Sequence, residues 1–243
     1  MNYLITLKYD GGAYHGWQRQ ENAMSVQQRV EEAAAELFGQ KISVTGCSRT
    51  DAGVHANCFK CNFHTDKFIP HSNIISGMNC YLPQDIAVYG SESVSESFNA
   101  RFNCKSKQYV YKIYNGAIRD PFYVSRACFC RQPIDEKLLD AQAHDFIGTH
   151  DFSAFCAAGA TVKTTVRTVK DAFVRREGEL VCFYVEADGF LYNMVRIMAG
   201  TLIYISQGKI KEGGIPEIIE SKNRILAGKT EISDGLYLNK VVY

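Results

Sequence analysis

The residues best suited to chemistry lie in one short stretch, Gly46-Cys47-Ser48-Arg49-Thr50-Asp51-Ala52-Gly53-Val54-His55-Ala56. A single carboxylate, Asp51, stands there beside a guanidinium at Arg49, a hydroxyl at Thr50 and a small Ala-Gly pair. Gly53 allows backbone conformations that a Cβ forbids. The lack of bulk at Ala52 and Gly53 lets another molecule approach the main chain closely. Such a loop is built to present one charge to a partner. The plainer alternative is an aspartate that bonds its own backbone in a turn.

Other groups invite chemical readings of their own. Tyr14, His15, Trp17, Gln18 and Arg19 follow the Asp10-Gly11-Gly12 turn, and aromatics and amides on a loop suit stacking and hydrogen bonding to RNA. The alternative is a loop that folds its Trp into the core. Cys58-Phe59-Lys60-Cys61 has the spacing of a zinc pair, but in a strand the two sulfurs point to opposite faces. No second pair of that spacing completes a site, so the reading is buried thiols and no metal. Cys128 and Cys130 would share a strand face. Cys47 with His55 could be the pair of a cysteine hydrolase, although no helix start follows Cys47 to supply an oxyanion site.

The run from Ser48 to Ala56 closely resembles the catalytic loop of the TruA family of tRNA pseudouridine synthases. Further matches follow the family's order: Gly16-Trp17-Gln18-Arg19-Gln20, Leu82-Pro83 with Asp85-Ile86-Ala87, Phe98-Asn99-Ala100-Arg101-Phe102, Tyr109-Val110-Tyr111 and Met194-Val195-Arg196. The resemblance covers nearly the whole chain. It implies a cofactor-free isomerase that converts uridine to pseudouridine in the anticodon stem-loop of tRNA, at positions 38 to 40. It also implies a homodimer in which one tRNA spans both subunits. The reaction cleaves a carbon–nitrogen glycosidic bond, turns the base and rejoins the sugar at C5, with no redox step. The resemblance gives Asp51 the role of nucleophile and Arg196 that of its cationic partner. Tyr109 becomes the active-site tyrosine that stacks on the uracil. Reaching a uridine in a stem requires taking it out of its stack, and Arg49, beside the nucleophile, is placed to fill the gap or hold the flipped phosphate. Gln18, Arg19 and Arg101, in the matched motifs, complete the RNA-binding candidates. Ser48 stands where the family commonly has Gly, and the chain ends directly after its last strand; both leave open a paralogue acting on another uridine. A catalytically silent tRNA-binding module on the same scaffold is the rival, and retention of Asp51, Tyr109 and Arg196 together argues against it.

The elements that must position these residues follow from hydrophobic periodicity. Asn2 to Tyr9 alternates as a strand. Ser25 with Gln28 forms a capping box ahead of a helix whose stripe is Val26, Val30, Ala33, Ala34, Leu37 and Phe38, closed by Gly39. Strands are expected at Lys41 to Thr45 and Cys58 to His64, a helix around Asn73 to Cys80, and a strand at Ile86 to Tyr89. That order is the ferredoxin-like arrangement. The polar run Ser91 to Ser97 separates residues 1–97 from 98–243. The second part repeats the pattern: strands at Lys107 to Tyr114 and Ala127 to Arg131, and a helix from Asp135 bearing Leu138, Leu139, Ala143 and Phe146. A hairpin over Thr164 to Asp188 and an apolar helix from Gly189 to Gln207 precede the last strand, Leu236 to Val242. The fold class is α+β. The resemblance adds that the two ferredoxin-like halves join into one extended antiparallel sheet, helices on one face and an RNA-binding cleft on the other.

Composition is consistent with this. The chain has 243 residues, 46% hydrophobic and 22% charged, an ordinary globular balance with no apolar run of membrane-spanning length. Nine cysteines without an export signal are expected to be reduced thiols in the cytoplasm. A net charge of +1 means that any RNA surface must come from local clusters of cations.

Overall fold

The computed structural model of the chain describes residues 1–159 and 162–243. They form two compact units: Met1–Lys105 with Tyr237–Tyr243, and Ser106–Leu236. The sequence reading divides the chain at 97/98; the units divide at 105/106, and the residues from Tyr237 onward belong with the first.

The first unit begins with β1 (Asn2–Tyr9), α1 (Val26–Phe38), β2 (Thr45–Gly46), β3 (His55–His64), α2 (His71–Tyr81) and β4 (Ile86–Val94). β1 lies between β3 and β4, antiparallel to both, so that Ile5 faces Cys61 on one side and Ser91 on the other. β2 pairs with β3, which gives the order β4-β1-β3-β2. The alternation read in β1 sends Tyr3, Ile5, Leu7 and Tyr9 into the core. Ser25 caps α1 through its Oγ, which accepts from the Gln28 N–H at 3.2 Å. Among the described residues only the Ser25 half of the capping box is seen, and Gln28 Nε2 donates to Glu32 Oε1 at 2.8 Å. Gly39 ends the helix at φ +60. The Phe38 ring sits 6.1 Å from Tyr3 and 5.4 Å from Phe63, so α1 covers β1 and β3. Each such fully buried side chain contributes roughly 1.5–3 kcal/mol.

Three expectations in this unit change. The strand expected at Lys41 to Thr45 shrinks to Thr45–Gly46. Ile42 and Val44 are buried as foreseen, but the Val44 backbone is claimed by helix α1: Gln27 Nε2 donates to Val44 O at 3.1 Å and Val44 N–H donates to Glu31 Oε1 at 3.1 Å. β3 starts at His55, three residues before the expected Cys58. β4 runs on to Val94, through half of the supposed separator, because the backbone of Ser91 to Val94 pairs with Asn2 to Ile5 while Glu92 and Ser93 face solvent.

The second unit contains β5 (Ser106–Tyr114), β6 (Cys128–Phe129), α3 (Glu136–Ala143), β7 (Gly148–Asp151), β8 (Val166–Glu177), β9 (Leu180–Ala187), α4 (Met194–Ser206) and α5 (Ile215–Ser221). The order β5-β9-β8-β7 is antiparallel throughout, and β6 runs parallel to β5 for two residues only, short of the five expected. The hairpin between β8 and β9 turns at Gly178, φ +63, as the sequence indicates. Asp135 caps α3 with its carboxylate, and Phe146 follows in a 3₁₀ turn against Phe155 and Phe183. The apolar helix starts at Met194 and not at Gly189, because Asn193 at φ +59 cannot belong to a right-handed helix. β7 and α5 were not anticipated. The final strand, β10 (Leu236–Val242), has the expected bounds and pairs in parallel with the start of β3, Tyr237 opposite His55. Among the described residues no helix is long and apolar enough to cross a membrane.

Candidate active site

The Asp51 loop joins β2 to β3 and is held from several sides by the segment that follows β1. Trp17 N–H donates to Thr50 O at 3.1 Å, and Gly53 N–H donates to Tyr14 O at 3.2 Å. The Thr50 hydroxyl and Tyr9 OH share a bond of 2.9 Å, and Tyr14 OH donates to Asp85 Oδ1 at 2.7 Å. Val54 N–H closes the turn onto Asp51 O at 3.2 Å. The two segments pack so closely that a Cβ on Gly16 would collide with Thr50 O and lie 3.1 Å from the Asp51 carbonyl carbon. Gly16 also takes φ +86, which glycine adopts without strain. Thr50 and Val54 are buried, Asp51 is half-buried, and Arg49 and Ala52 are exposed. These bonds order the main chain on both sides of Asp51.

Trp17 is part of the support and is not free to stack on RNA. It retains 2% of its surface and lies 3.9 Å from the Phe59 ring at 25°. Gly46 makes room for it, since a Cβ there would come within 2.5 Å of Trp17 Nε1. Gln18, Arg49 and Arg101 meet around a pocket of about 160 Å³ that Trp17, Gln27, Ser48 and the β2 backbone complete. Arg19 goes elsewhere: its guanidinium pairs with the buried Glu31 at 2.9 Å, and its N–H donates to Gln27 Oε1 at 2.9 Å. Arg101 is carried on a turn in which Asn99 Oδ1 accepts from Arg101 N–H at 3.0 Å and Phe102 N–H at 3.1 Å. Asn62 of β3 anchors that turn by accepting from Ala100 N–H at 2.8 Å.

Gln27 and Glu31 are the supporting residues that sequence reasoning missed. Gln27 bonds Gln18, Arg19, Glu31 and Val44, so helix α1, the 17–19 segment and the approach to β2 share one network. Their signal was a polar pair four residues apart, where burial demands partners.

In the second unit, Tyr109 lies on β5 opposite Val185, is 6% exposed, and meets the Phe190 ring edge-on at 5.0 Å. Arg196, in the first turn of α4, is half-buried and its head is aimed by two acceptors. Nε donates to Glu231 O at 2.6 Å and Nη1 to Asn193 Oδ1 at 2.7 Å. The residue that ends the coil before α4 thus also orients the guanidinium. Cys47 is wholly buried, with Lys60 N–H directed at its sulfur, so no substrate carbonyl reaches it. Among the described residues no three His, Cys, Asp or Glu side chains converge as metal ligands.

The sequence profile described as tRNA pseudouridine synthase matches residues 5–103 and 142–243. The chain belongs to that family. It is 43% identical over 242 residues to the tRNA pseudouridine synthase A of Acetivibrio thermocellus, covering 100% of this chain and 99% of the relative. It is 44% identical over 241 residues to that of Ruminiclostridium cellulolyticum, covering 98% of each. A tRNA pseudouridine synthase A 2 of Clostridium perfringens is 40% identical over 242 residues. Membership makes the chain an isomerase of uridine in tRNA. Asp51 and Arg196 lie within the two matched stretches of the profile, and Tyr109 lies between them.

Proposed function

We propose that the chain forms pseudouridine in the anticodon stem-loop of tRNA, at positions 38 to 40, without a cofactor and as a cytoplasmic homodimer. Asp51 is the nucleophile, Tyr109 stacks on the uracil, and Arg196 is the cation that keeps the carboxylate ionised where water is excluded. Arg49, Gln18 and Arg101 hold the RNA, and Arg19 contributes chiefly by fixing Glu31. The observation that carries this reading is the loop itself: one half-buried acidic residue on a loop whose main chain is bonded to the 14–17 segment, in a chain of this family. The order β4-β1-β3-β2 of the first unit supports reading that half as ferredoxin-like. Position-resolved mapping of pseudouridine in unmodified tRNA treated with the purified protein tests the assignment. Signals confined to positions 38 to 40 are expected. Signals only elsewhere would identify a paralogue with a different target, and none at all would favour a silent binding module.

A further inference from the structure

A lone exposed apolar side chain is ordinary on a protein surface, but Phe102 is set apart by what holds it there. It follows Arg101 on the turn between β4 and β5, within the first unit, and is 79% exposed. The turn beneath it is closed by its own amides. Asn99 Oδ1 accepts from the Arg101 and Phe102 N–H groups, Asn99 N–H donates to Asn103 Oδ1 at 2.7 Å, and Asn103 N–H donates to Asn99 O at 3.0 Å. The start of the turn is pinned to the sheet. Asn2 of β1 and Asn62 of β3 donate through Nδ2 to Phe98 O at 3.0 and 3.2 Å, and Tyr243, the residue after β10, donates its hydroxyl to Ala100 O at 2.9 Å. The Phe98 and Tyr243 rings meet edge-on at 4.9 Å. None of these bonds uses the Phe102 side chain, so the turn is ordered without the ring and holds it out in water.

The ring also has a charged neighbour. The Arg101 guanidinium carbon lies over it, 5.9 Å from its centre, within cation–π range. Arg101 lines the pocket of about 160 Å³ with Gln18, Ser48 and Arg49, beside the Asp51 loop. An open aromatic face next to cations around a polar pocket fits a nucleobase on its phosphate backbone: the ring stacks and the cations neutralise. Drawing a uridine out of a stem leaves its neighbours without a stacking partner. A flat apolar ring on an ordered turn can replace that partner, as apolar side chains do when they insert between base steps. We propose that Phe102 stacks on a nucleobase of the tRNA left unstacked when the target uridine is drawn out, with Arg101 and Arg49 on the adjoining phosphates. This rests on the reading that Arg49, Gln18 and Arg101 hold the RNA. Every base has a π-face, so Phe102 adds affinity without a preference among bases.

Filter binding of unmodified tRNA to the purified chain across a salt series, with Phe102→Ala, Phe102→Leu and Phe102→Trp, tests this. Loss of one base stack should weaken binding by about 5- to 150-fold in Phe102→Ala. Phe102→Leu, apolar but not flat, should recover little of that, and Phe102→Trp should bind as tightly as the parent or tighter. The salt slope should stay unchanged in all three, because a ring neutralises no phosphate. The side chain is exposed, so the unfolding midpoints should also stay unchanged, and weakened binding is then not a folding defect. Parent-like affinity in Phe102→Ala, full recovery in Phe102→Leu, or a slope reduced by about 1 would overturn the proposal. So would a shift from dimer to monomer in Phe102→Ala by sedimentation, which would give the ring to a second copy of the chain. A reduced slope in Arg101→Gln together with parent-like binding in Phe102→Ala would remove the stack and leave the RNA-holding cations standing. Pseudouridine formation is not read, so the result is independent of the role of Asp51.

Discussion

At Tyr109 two contributions can be separated, because the ring is packed edge-on against Phe190 and only 6% of the residue reaches solvent. Tyr109→Phe keeps the ring and removes the hydroxyl, whereas Tyr109→Ala removes both. A base stacked on an aromatic side chain is worth about 1–3 kcal/mol, so Ala should lower kcat/KM by that amount beyond the loss in Phe. Truncating a buried aromatic also destabilises the fold by roughly 3–5 kcal/mol, so the kinetics belong well below the Ala variant's unfolding transition. Equal, near-normal kinetics in both variants would place Tyr109 in the core alone. Arg196 illustrates the same scale. Its charge is legible in the motif Met194-Val195-Arg196, but its orientation depends on Asn193 and on the carbonyl of Glu231, thirty-five residues away.

Among the elements, β7 is short, yet its last residue fastens three segments. Asp151 accepts from the Thr165 hydroxyl at 2.5 Å and from Ser153 N–H at 3.1 Å, and it lies 3.1 Å from Lys222 Nζ at the end of α5. The Thr165 hydroxyl, with Lys222 and Ser153 behind it, holds the Asp151 carboxyl down at about 2. An unfolded aspartate titrates near 3.9, so the folded value is the depressed one. The stability contributed is therefore complete above the unfolded value and is lost as pH falls through the folded value. Asp151→Asn should be less stable than the parent at pH 5, and the gap should narrow by about pH 3. Urea midpoints at the two pH values measure this, and a constant gap would show that the charge contributes nothing. Helix α1 and strands β1 and β10 were readable from the sequence because their caps and alternation are local. The 41–44 segment was not: its alternation is real and its side chains are buried, but Gln27 and Glu31 bond the Val44 backbone before any strand can. β4 was cut short for the converse reason, since its outer residues are polar and only pairing with β1 makes them a strand.

For the whole molecule, a net charge of +1 leaves RNA affinity to a few placed cations. Arg49 and Arg101 share the pocket beside the Asp51 loop, so replacing either with Gln should weaken tRNA binding and reduce the salt slope by about 1. Filter binding across a salt series checks this, and an unchanged slope would remove both from the phosphate contacts. The Asp51 loop was legible as a connection between two strands because it is a contiguous run bounded by alternating segments. Its supports were not, because Glu31 and Asn193 take their roles from partners that folding supplies, and Trp17 proved to be core because Gly46 and Phe59 receive it. The central claim is that one carboxylate on this fixed loop performs the isomerisation, and Asp51→Asn isolates it, since the shape stays and the charge goes. In single-turnover assays with saturating enzyme, pseudouridine formation should fall by roughly four orders of magnitude or more, as for other lost nucleophiles, while tRNA affinity stays within about twofold, the charge of one residue being a small part of the phosphate-dominated binding. Turnover within about tenfold of the parent, a loss of under 1.4 kcal/mol in barrier height, would contradict the assignment of Asp51 as the nucleophile.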